Sequence, residues 1–411
     1  MLELKLEDVC TKIVDCEHRT APVVDSTEEV GYPSIRTMNI GFGRLLLDRV
    51  NRVSEQVYRE WTKRTIPESG DLILAREAPI GNVAIIPENM RVCLGQRTVL
   101  IRPDKQLIEP AYLMYLLLSN AMQKRIKTLS GGGTVHHLNV DDIKSLPLPE
   151  LVSLVKQRKI VDILGTWDAA IGTVERFITT LQARKRILMH QLLIPREDTG
   201  QPAARFPQFQ DEWKIEGLDR VFDRVTRKNA VGNSNVLTAS GQHGLVSQIE
   251  YFNRSVAGVS LEDYYLIERG EFAYNRSSSD GYPYGAIKQL EKYDAGVLST
   301  LYICFRLTNE AADATFYKHF FEAGGLDRGI YSIAQEGARN HGLLNVGISD
   351  FFSLDVPLPS LQEQTFLAEL FDTQDRLIGV ATSYRNHLQQ QKQGLMQRLL
   401  TGQVRVRVDE E

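Results

Sequence analysis

The segments Leu146-Pro147-Leu148-Pro149 and Val356-Pro357-Leu358-Pro359 each open a long helical run, and together they decide the architecture of the chain. The first run ends in Leu188-Met189-His190-Gln191-Leu192-Leu193 and the second in Leu395-Met396-Gln397-Arg398-Leu399-Leu400. Over residues 160–193 the first run aligns with the second at a constant offset of 207 residues. Such an internal repeat predicts two copies of one module, each a globular segment followed by a long helix.

Both helical runs carry a heptad pattern. The apolar positions of the first run are Ile160, Leu164, Trp167, Ile171, Val174, Ile178, Leu181, Leu188 and Leu192. The residues at the same phase of the second run are Leu367, Phe371, Gln374, Ile378, Ala381, Arg385, Leu388, Lys392, Leu395 and Leu399. We call these two rows, with Lys185 in the first, the seam. Steps of four and three predict coiled-coil helices that pack on each other. Alternatively, each helix packs on its own globular segment.

The globular segments that precede the two helices share a strand-rich plan. Strands are predicted at 70–75, 83–86 and 99–101 in the first segment, and at 270–274, 286–287 and 301–305 in the second. A helix follows in each, over 111–129 and 314–321, and then a glycine-containing loop that ends in Leu-Asn-Val. The rest of these loops differs, and a shared framework with different loops suits a pair of readers of different sequences.

These patterns predict an α+β fold. We expect two α/β domains separated by two long helices that form a coiled coil. The segment between the helices could return the chain in either direction, and the antiparallel arrangement, which we adopt, would give a pseudo-twofold internal repeat. The predicted boundaries are 1–150 for the first domain, 151–196 for the first helix, 197–209 for a linker, 210–358 for the second domain, 359–402 for the second helix and 403–411 for a tail. Ser360-Leu361-Gln362-Glu363 is a capping box, which predicts the start of the second helix.

The composition is that of an ordinary globular chain. Hydrophobic residues make up 43% and charged residues 24%, with a net charge of −4. No apolar run reaches the roughly 18 residues that span a bilayer, and the acidic N-terminal segment does not resemble a signal peptide. The four cysteines, at 10, 16, 93 and 304, have neither C-x-x-C pairing nor zinc-like spacing. A reduced, cytoplasmic chain without a membrane partner is therefore predicted.

Several segments carry a family pattern. They include Val236-Leu237-Thr238-Ala239-Ser240, Asp263-Tyr264-Tyr265 and Gly270-Glu271-Phe272-Ala273-Tyr274-Asn275, together with the stretch from Val356 to Gln364. These residues resemble the DNA-specificity subunit of type I restriction–modification systems, and the order domain, helix, domain, helix extends the resemblance over nearly the whole chain. The first copy departs from the pattern, because Lys156-Gln157 stands opposite Glu363-Gln364. This departure leaves the start of the first helix open.

The resemblance implies a non-catalytic subunit that binds double-stranded DNA, in a system of defence against foreign DNA. Two target recognition domains, 1–150 and 210–358, would each read one half of a bipartite, asymmetric site. The helices would set the spacer between the halves and dock two methyltransferase (modification) subunits, joined for cleavage by restriction subunits. The chain would hold no cofactor and no metal, since S-adenosylmethionine, ATP and Mg²⁺ would belong to the adenine-specific methyltransferase and ATP-dependent endonuclease partners.

Two other classes of function stay open at this point. One is a coiled-coil scaffold or adaptor whose two domains bind protein partners. The other is a stand-alone methyltransferase, which would need a cofactor site that the sequence does not reveal. The chain carries neither an Asn/Asp-Pro-Pro-aromatic signature of amino-methyltransferases nor the G-x-x-x-x-G-K-[ST] loop of ATP-binding proteins.

Candidate DNA contacts are polar and basic residues in loops, because Arg and Lys suit guanine and Asn and Gln suit adenine in the major groove. The candidates are Arg36, Arg44, Arg76, Thr134, His136, His137, Lys228, His243, Asn275, Arg276, Ser278, Tyr282, Arg339 and His341. Each has an alternative. The segment 275–282 is otherwise a solvated hairpin turn, and Arg76 otherwise forms a salt bridge to Glu77 or another nearby acid. The loop 131–137 is otherwise a connection that leads into the next helix. Its two histidines could also bind a metal, but the sequence offers no third ligand at a suitable spacing.

Candidate partner contacts lie beside the seam. They are Phe177 on the first helix and Leu370, Leu377 and Tyr384 on the second. An apolar residue beside a coiled-coil seam is available to a further helix, so a methyltransferase subunit could cover these positions. The alternative is that the globular domains of the chain itself cover them.

Overall fold

The computed structural model describes residues 4–24, 31–130, 137–241, 243–252, 260–279, 281–334 and 342–407. The chain divides into two compact units, unit 1 with Met1–Glu175 and Ser383–Glu411, and unit 2 with Arg176–Thr382. Each unit holds most or all of one predicted globular domain and part of each long helix. A search of the described helices finds none that combines the length and the apolar character needed to span a bilayer.

Unit 1 is built on an antiparallel sheet. Its strands are β1 Cys10–Asp15, β2 Tyr32–Ile35, β3 Arg52–Val53, β4 Leu72–Ala75, β5 Val83–Ile85, β6 Cys93–Leu94 and β7 Thr98–Pro103. Its helical elements are the 3₁₀ turns Leu6–Val9 and Thr37–Asn39, then α1 Glu55–Trp61, α2 Pro110–Leu118, α3 Asn120–Leu129, α4 Val140–Lys144 and the first part of α5 Leu154–Leu193. Among the described residues the main sheet has the order β1-β7-β4-β5, and a smaller sheet has the order β3-β2-β6.

Unit 2 repeats the main sheet. Its strands are β8 Lys214–Gly217, β9 Phe222–Val225, β10 Leu237–Ser240, β11 Gly244–Ser247, β12 Tyr265–Glu268, β13 Phe272–Asn275, β14 Ala286–Gln289, β15 Ala295–Leu298, β16 Ile303–Leu307 and β17 Asp355–Leu358. Its helices are α6 Leu218–Val221, α7 Gln248–Phe252, α8 Ala314–Glu322, α9 Asp327–Ile333, α10 Ile348–Phe352 and the first part of α11 Leu361–Leu400. In the part of unit 2 that is described, the order β9-β16-β13-β14 matches β1-β7-β4-β5 of unit 1.

The central strands of both sheets are buried on both faces. In β4, Leu72 and Leu74 join the apolar cluster that contains α2, whereas Ile73 joins a cluster on the opposite face. In β13, Phe272 joins one cluster and Ala273 another in the same alternating way. Successive side chains of a strand point to opposite faces, so a strand covered on both sides is apolar throughout. This is why both strands were predictable from short apolar runs.

The two Pro-Leu-Pro segments pair with the segment near the start of their own globular domain. In unit 2, β17 runs antiparallel to β8 and places Pro357 opposite Ile215. In unit 1 the N–H of Leu148 donates to the carbonyl of Leu4 at 2.7 Å, and Lys5 lies opposite Pro147. The repeated motif therefore closes each unit, which the sequence did not predict.

Both long helices contain 40 residues and begin at equivalent positions, Leu154 and Leu361. This resolves the start of the first helix. Every seam residue is buried or half-buried. In unit 1, Ile160 and Leu164 of α5 share an apolar cluster with Met396 and Leu399 of α11. In unit 2, a second cluster joins the end of α5 to the start of α11 through residues Met189, Leu192, Leu367 and Phe371.

Two sequence predictions differ from the structure at helix boundaries. The helix predicted over 111–129 is broken at Ser119, whose backbone is extended and whose hydroxyl caps α3 by accepting from the N–H of Met122. The capping box at Ser360 is only half formed. The N–H of Glu363 donates to the Ser360 hydroxyl at 3.4 Å, but the Glu363 carboxylate bonds Arg205 and the indole N–H of Trp213 instead.

The predicted linker 197–209 is packed against α11. Arg205 donates two hydrogen bonds to Glu363, at 2.8 and 2.6 Å, and the rings of Phe206 and Phe209 contact Phe366. In the tail, Val404 packs against the apolar cluster of unit 1. The linker thus packs against the core of unit 2, and the tail packs against the core of unit 1.

Candidate nucleic-acid interface

In both units, a central strand of the main sheet ends at an arginine that meets the Leu-Asn-Val loop. In unit 1, the N–H of Leu138 donates to the carbonyl of Arg76 at 3.1 Å. In unit 2, the N–H of Leu344 donates to the carbonyl of Arg276 at 2.9 Å. The same backbone contact therefore places Leu138 and Leu344, the first residues of the two Leu-Asn-Val segments, at the same end of the two sheets.

Arg76 lies inside unit 1 and is only 6% exposed. Its guanidinium bonds the carboxylate of Asp15 at 2.7 Å, the carbonyl of Leu138 at 2.8 Å and the imidazole Nε2 of His137 at 2.8 Å. These bonds favour the ion-pair alternative for Arg76, with Asp15 rather than Glu77 as its acid. A direct DNA contact by this side chain conflicts with its burial, and Arg76 instead holds the end of β1 to the loop.

His137 extends this network to the surface. Its Nε2 accepts from Arg76, so Nδ1 carries the hydrogen and donates to Glu77 at 3.1 Å. Glu77 in turn pairs with Arg97 at 2.9 Å, and the Arg97 side chain is 63% exposed. The predicted neighbours Thr134 and His136 lie outside the described residues.

Some exposed residues at this end of the unit 1 sheet were missed by the sequence analysis. Arg97 has a positive φ of 65° in the turn before β7. His18 lies 3.1 Å from the second oxygen of Asp15, and the Gln96 amide donates to the His18 carbonyl at 3.4 Å. The available signal was the polar turn Gly95-Gln96-Arg97, which directly precedes an apolar strand.

The equivalent end of the unit 2 sheet brings Asn275, Arg276 and Ser278 together. The guanidinium of Arg276 donates to the carbonyls of Leu301 at 3.0 Å and Val346 at 3.3 Å. The Asn275 side chain accepts from the N–H of Ser277, and the N–H of Ser278 donates to Gly342. Ser278 is exposed. The predicted contacts Arg339 and His341 lie outside the described residues.

Tyr282 contacts the tip of the β10–β11 hairpin, which also carries His243. The Tyr282 hydroxyl lies 2.8 Å from the carbonyl of Gly241 and 2.6 Å from Glu322, and burial raises its pKa. His243 is exposed, with its ring 6.2 Å from that of Tyr251. Tyr282 therefore buttresses the hairpin that presents His243.

Three other candidates have contacts of their own. Lys228 donates to the carbonyl of Asp263 at 2.6 Å and covers the ring of Tyr265. Arg36 is half-buried at the start of a 3₁₀ turn, where its backbone N–H donates to Asn39. Arg44 is 60% exposed and pairs with Glu175 of α5 at 2.6 Å. Among the described residues, Lys228 and Arg44 contact other segments, whereas Arg36 lies beside Gly95, whose N–H donates to the carbonyl of Ile35 at 2.8 Å in the turn that carries Arg97.

The comparisons with known proteins bear on the whole chain. Residues 3–182 match the family described as type I restriction modification DNA specificity domain. The type I restriction enzyme MjaVIII specificity subunit of Methanocaldococcus jannaschii is 22% identical over 408 residues, which is 95% of this chain and 90% of that protein. The family match and this relative indicate a specificity subunit of a type I restriction–modification system. The EcoBI specificity subunit of Escherichia coli is 25% identical over 163 residues, covering 40% of this chain and 34% of that protein.

Solved structures of specificity subunits share the fold of this one. A chain from a study of complex assembly and conformational transition of the type I R-M system has a TM-score of 0.52 at 15% identity, covering 98% of this chain and 97% of that one. The S subunit from M. genitalium has a TM-score of 0.50 at 13% identity, covering 97% and 95%. The family does not favour the scaffold alternative.

The candidate partner contacts of the specificity subunit differ in exposure. Phe177 is 49%, Leu377 42% and Tyr384 57% exposed. Leu370 is half-buried and packs against the core of unit 2, so the alternative of an internal contact applies to it. Ile187 and Val380, which the sequence analysis passed over, are also exposed.

One group of possible metal ligands was not predicted. His319, Asp372 and Asp375 of the specificity subunit bring ligand atoms within 4.8 Å of one another. However, Asp372 already pairs with Lys318 at 2.9 Å, and Asp375 pairs with Lys185 at 2.6 Å. Two ammonium groups beside the carboxylates oppose a further cation, so the geometry suits an ion-pair network better than a metal site.

Proposed function

We propose that this specificity subunit recognises a bipartite, asymmetric site in double-stranded DNA, with one recognition domain on each half. The observation that carries the proposal is the repeated contact at the sheet ends, Arg76 with Leu138 and Arg276 with Leu344. It gives both domains one framework, while the side chains around it differ. Arg97 and His18 are exposed in unit 1, and Ser278 in unit 2. Different polar side chains on one framework suit different base sequences.

The long helices, on this proposal, form an antiparallel coiled coil that sets the spacer between the half-sites. Contacts within each unit support the direction. In unit 1, Ile160 packs near Leu399, and Asp168, further along α5, pairs with Lys392, which is earlier in α11. In unit 2, Lys185 pairs with Asp375. Each unit thus pairs later residues of one helix with earlier residues of the other, which supports a pseudo-twofold repeat.

The exposed apolar residues of the helices would dock two methyltransferase subunits, and restriction subunits would join for cleavage. S-adenosylmethionine, ATP and Mg²⁺ would be bound by those partners, which would carry the adenine methylation and the ATP-dependent endonuclease activity. The specificity subunit would contribute recognition and geometry. The exposure of Phe177 and Tyr384 supports this part of the proposal, because large apolar side chains on a helix face favour a protein partner.

A domain exchange tests the proposal. Residues 210–355 would be replaced by the equivalent domain of another specificity subunit, and the chimera co-produced with its methyltransferase subunit. Sequencing of methylated DNA should reveal a motif that is changed in one half and unchanged in the other. The reciprocal exchange of residues 1–150 is the matched control and should change the opposite half. A change in both halves after either exchange would contradict independent reading.

A further inference from the structure

A seam ion pair in unit 1 is tied to the recognition domain. Lys392 of α11 donates to Asp168 of α5 at 2.6 Å, with 12% of the lysine and 45% of the aspartate side chain exposed. The hydroxyl of Tyr115, on α2, donates to the other Asp168 oxygen at 2.6 Å. The Lys392 ammonium also lies 4.9 Å from the centre of the Tyr115 ring. One carboxylate thus joins both long helices to the first domain.

Unit 2 contains an equivalent junction. Lys185 of α5 donates to Asp375 of α11 at 2.6 Å, with exposures of 13% and 46%. The imidazole of His319, on α8, lies 4.0 Å from the other Asp375 oxygen and bonds Asp372 at 2.8 Å. Tyr115 and His319 are each the sixth residue of their helices. In both units, a seam lysine therefore pairs with an aspartate beside the seam of the other long helix. A side chain of the domain helix lies next to that aspartate, hydrogen-bonded to it in unit 1 and 4.0 Å from it in unit 2.

The ion pairs specify the register of the two long helices, which the apolar seam residues alone leave ambiguous. A heptad row looks similar after a shift by one heptad, so apolar packing alone discriminates weakly between registers, whereas a polar seam residue with one partner specifies a register. A shift by a single helical turn, about 5.4 Å, would separate each ammonium from its carboxylate. Because the lysines are mostly buried, a shifted helix would leave their charge without a partner.

We propose that the junctions Tyr115–Asp168–Lys392 and His319–Asp375–Lys185 are positioning sites that fix the helix register and each domain upon it, and thereby set the spacer length. This inference rests on the proposed function. The residues need not touch DNA. They act through the helices, and their signature is a change in spacer preference without a change in either half-site.

The test uses the full chain co-produced with its methyltransferase subunit and a library of sites whose spacers differ by single base pairs. Asp168→Asn and Asp168→Lys should each lower the preference for the native spacer over its neighbours by about tenfold. The exchange Asp168→Lys with Lys392→Asp should restore that preference, because the ion pair is rebuilt in reverse. Asp375→Asn should act like Asp168→Asn. Asp162→Asn, at an exposed position of the same helix, is the matched control and should retain the native preference.

Failure of the positioning role and failure of the proposed DNA recognition would give different results. Restored spacer preference in the double exchange, with both half-sites unchanged throughout, supports the positioning role. Single variants that fold by circular dichroism and keep the wild-type preference overturn it, as does a loss of thermal stability with unchanged preference. A wild-type chain that directs no bipartite methylation would overturn the proposed function itself, and the inference with it.

Discussion

At the scale of single residues, the two arginines that follow the central strands have diverged. Arg76 is enclosed by Asp15, Leu138 and His137, whereas Arg276 is half-buried and donates to the carbonyls of Leu301 and Val346. The bonds of Arg276 use Nε and one terminal nitrogen, so the other terminal nitrogen is the donor through which it could reach a base. The bidentate guanine contact expected from its residue type stays a prediction.

We expect Arg276→Ala to cost about 1–3 kcal/mol of binding and to relax discrimination in the second half-site only. The loop that carries Ser278 would also lose its anchors at Leu301 and Val346. Binding of single-base variants across a salt series measures the effect. Arg269→Ala, which removes an exposed arginine of the same unit, is the control. A uniform loss across all sequences with a shallower salt slope would make Arg276 a phosphate contact instead.

His319 gives unit 2 a stability that depends on pH. Burial lowers its pKa below 6.5, helped by the charges of Lys318 and Lys185 and opposed by Asp372 and Asp375. The unfolded chain therefore takes up the proton first, and the free energy of unfolding falls as pH drops below about 6.5, by up to about 1.4 kcal/mol per pH unit. Hydrogen bonds from Lys318 and His319 outweigh burial and hold the pKa of Asp372 below 3.8, outside this range.

Thermal unfolding between pH 7.5 and 5.0 tests this expectation. His319→Gln should flatten the decline relative to the wild-type chain, because its amide cannot take up a proton. His387→Gln, at an exposed position on α11, should leave the decline unchanged. Equal pH profiles for the wild-type chain and His319→Gln would show that another group is responsible.

At the scale of elements, a buried glutamine stands at the equivalent position in the first turn of each long helix, Gln157 in α5 and Gln364 in α11. Gln157 accepts from the N–H of Glu109 at 2.8 Å and donates to the carbonyl of Val152 at 2.8 Å. Gln364 accepts from Asp313 at 2.8 Å and donates to Pro359 at 2.8 Å. Each glutamine therefore joins the long helix to the residue that precedes the domain helix and to the segment just before the long helix, at Val152 or Pro359.

We expect Gln364→Leu to destabilise unit 2 by about 1–3 kcal/mol or more, because it leaves buried backbone groups without partners. Gln157→Leu should have the same effect on unit 1. Hydrogen exchange at the amides of Asp313 and Glu109 reports the two sites separately. Gln362→Leu, at an exposed position of α11, is the matched control. Protection equal to that of the control would mean that the helix entry is held by apolar packing alone.

The sequence predicted some elements better than others for physical reasons. The heptad pattern of α5 and α11 is long and periodic, and every seam residue is accordingly buried or half-buried. The break at Ser119 was missed because only the backbone of this one residue departs from the helical conformation between α2 and α3. Of the site residues, Arg276 and Asn275 were found in a polar loop. Arg97 was missed because its connection to the site is an ion pair with Glu77, which is distant in sequence.

At the scale of the whole molecule, the exposed apolar residues of the long helices predict where the methyltransferase subunit binds. We expect Phe177→Asp with Tyr384→Asp to give a folded chain that no longer co-purifies with its methyltransferase subunit, since burying an unpaired carboxylate at an interface is costly. Pull-down and circular dichroism measure the two properties. Thr180→Asp with Gln390→Asp, at exposed polar positions of the same helices, is the control. If the double variant still binds the methyltransferase subunit, the interface does not include Phe177 and Tyr384.

The salt bridge at the start of α11 has a consequence for how such genes could recombine. Glu363 is held by Arg205 and Trp213, but the first copy has Lys156 at the corresponding position. A crossover that transferred the first helix start into the second copy would set a lysine against Arg205 and leave the indole without its acceptor. Genetic exchange between the copies is therefore expected to succeed only at crossover points that keep residues 205–213 and Glu363 from the same parent.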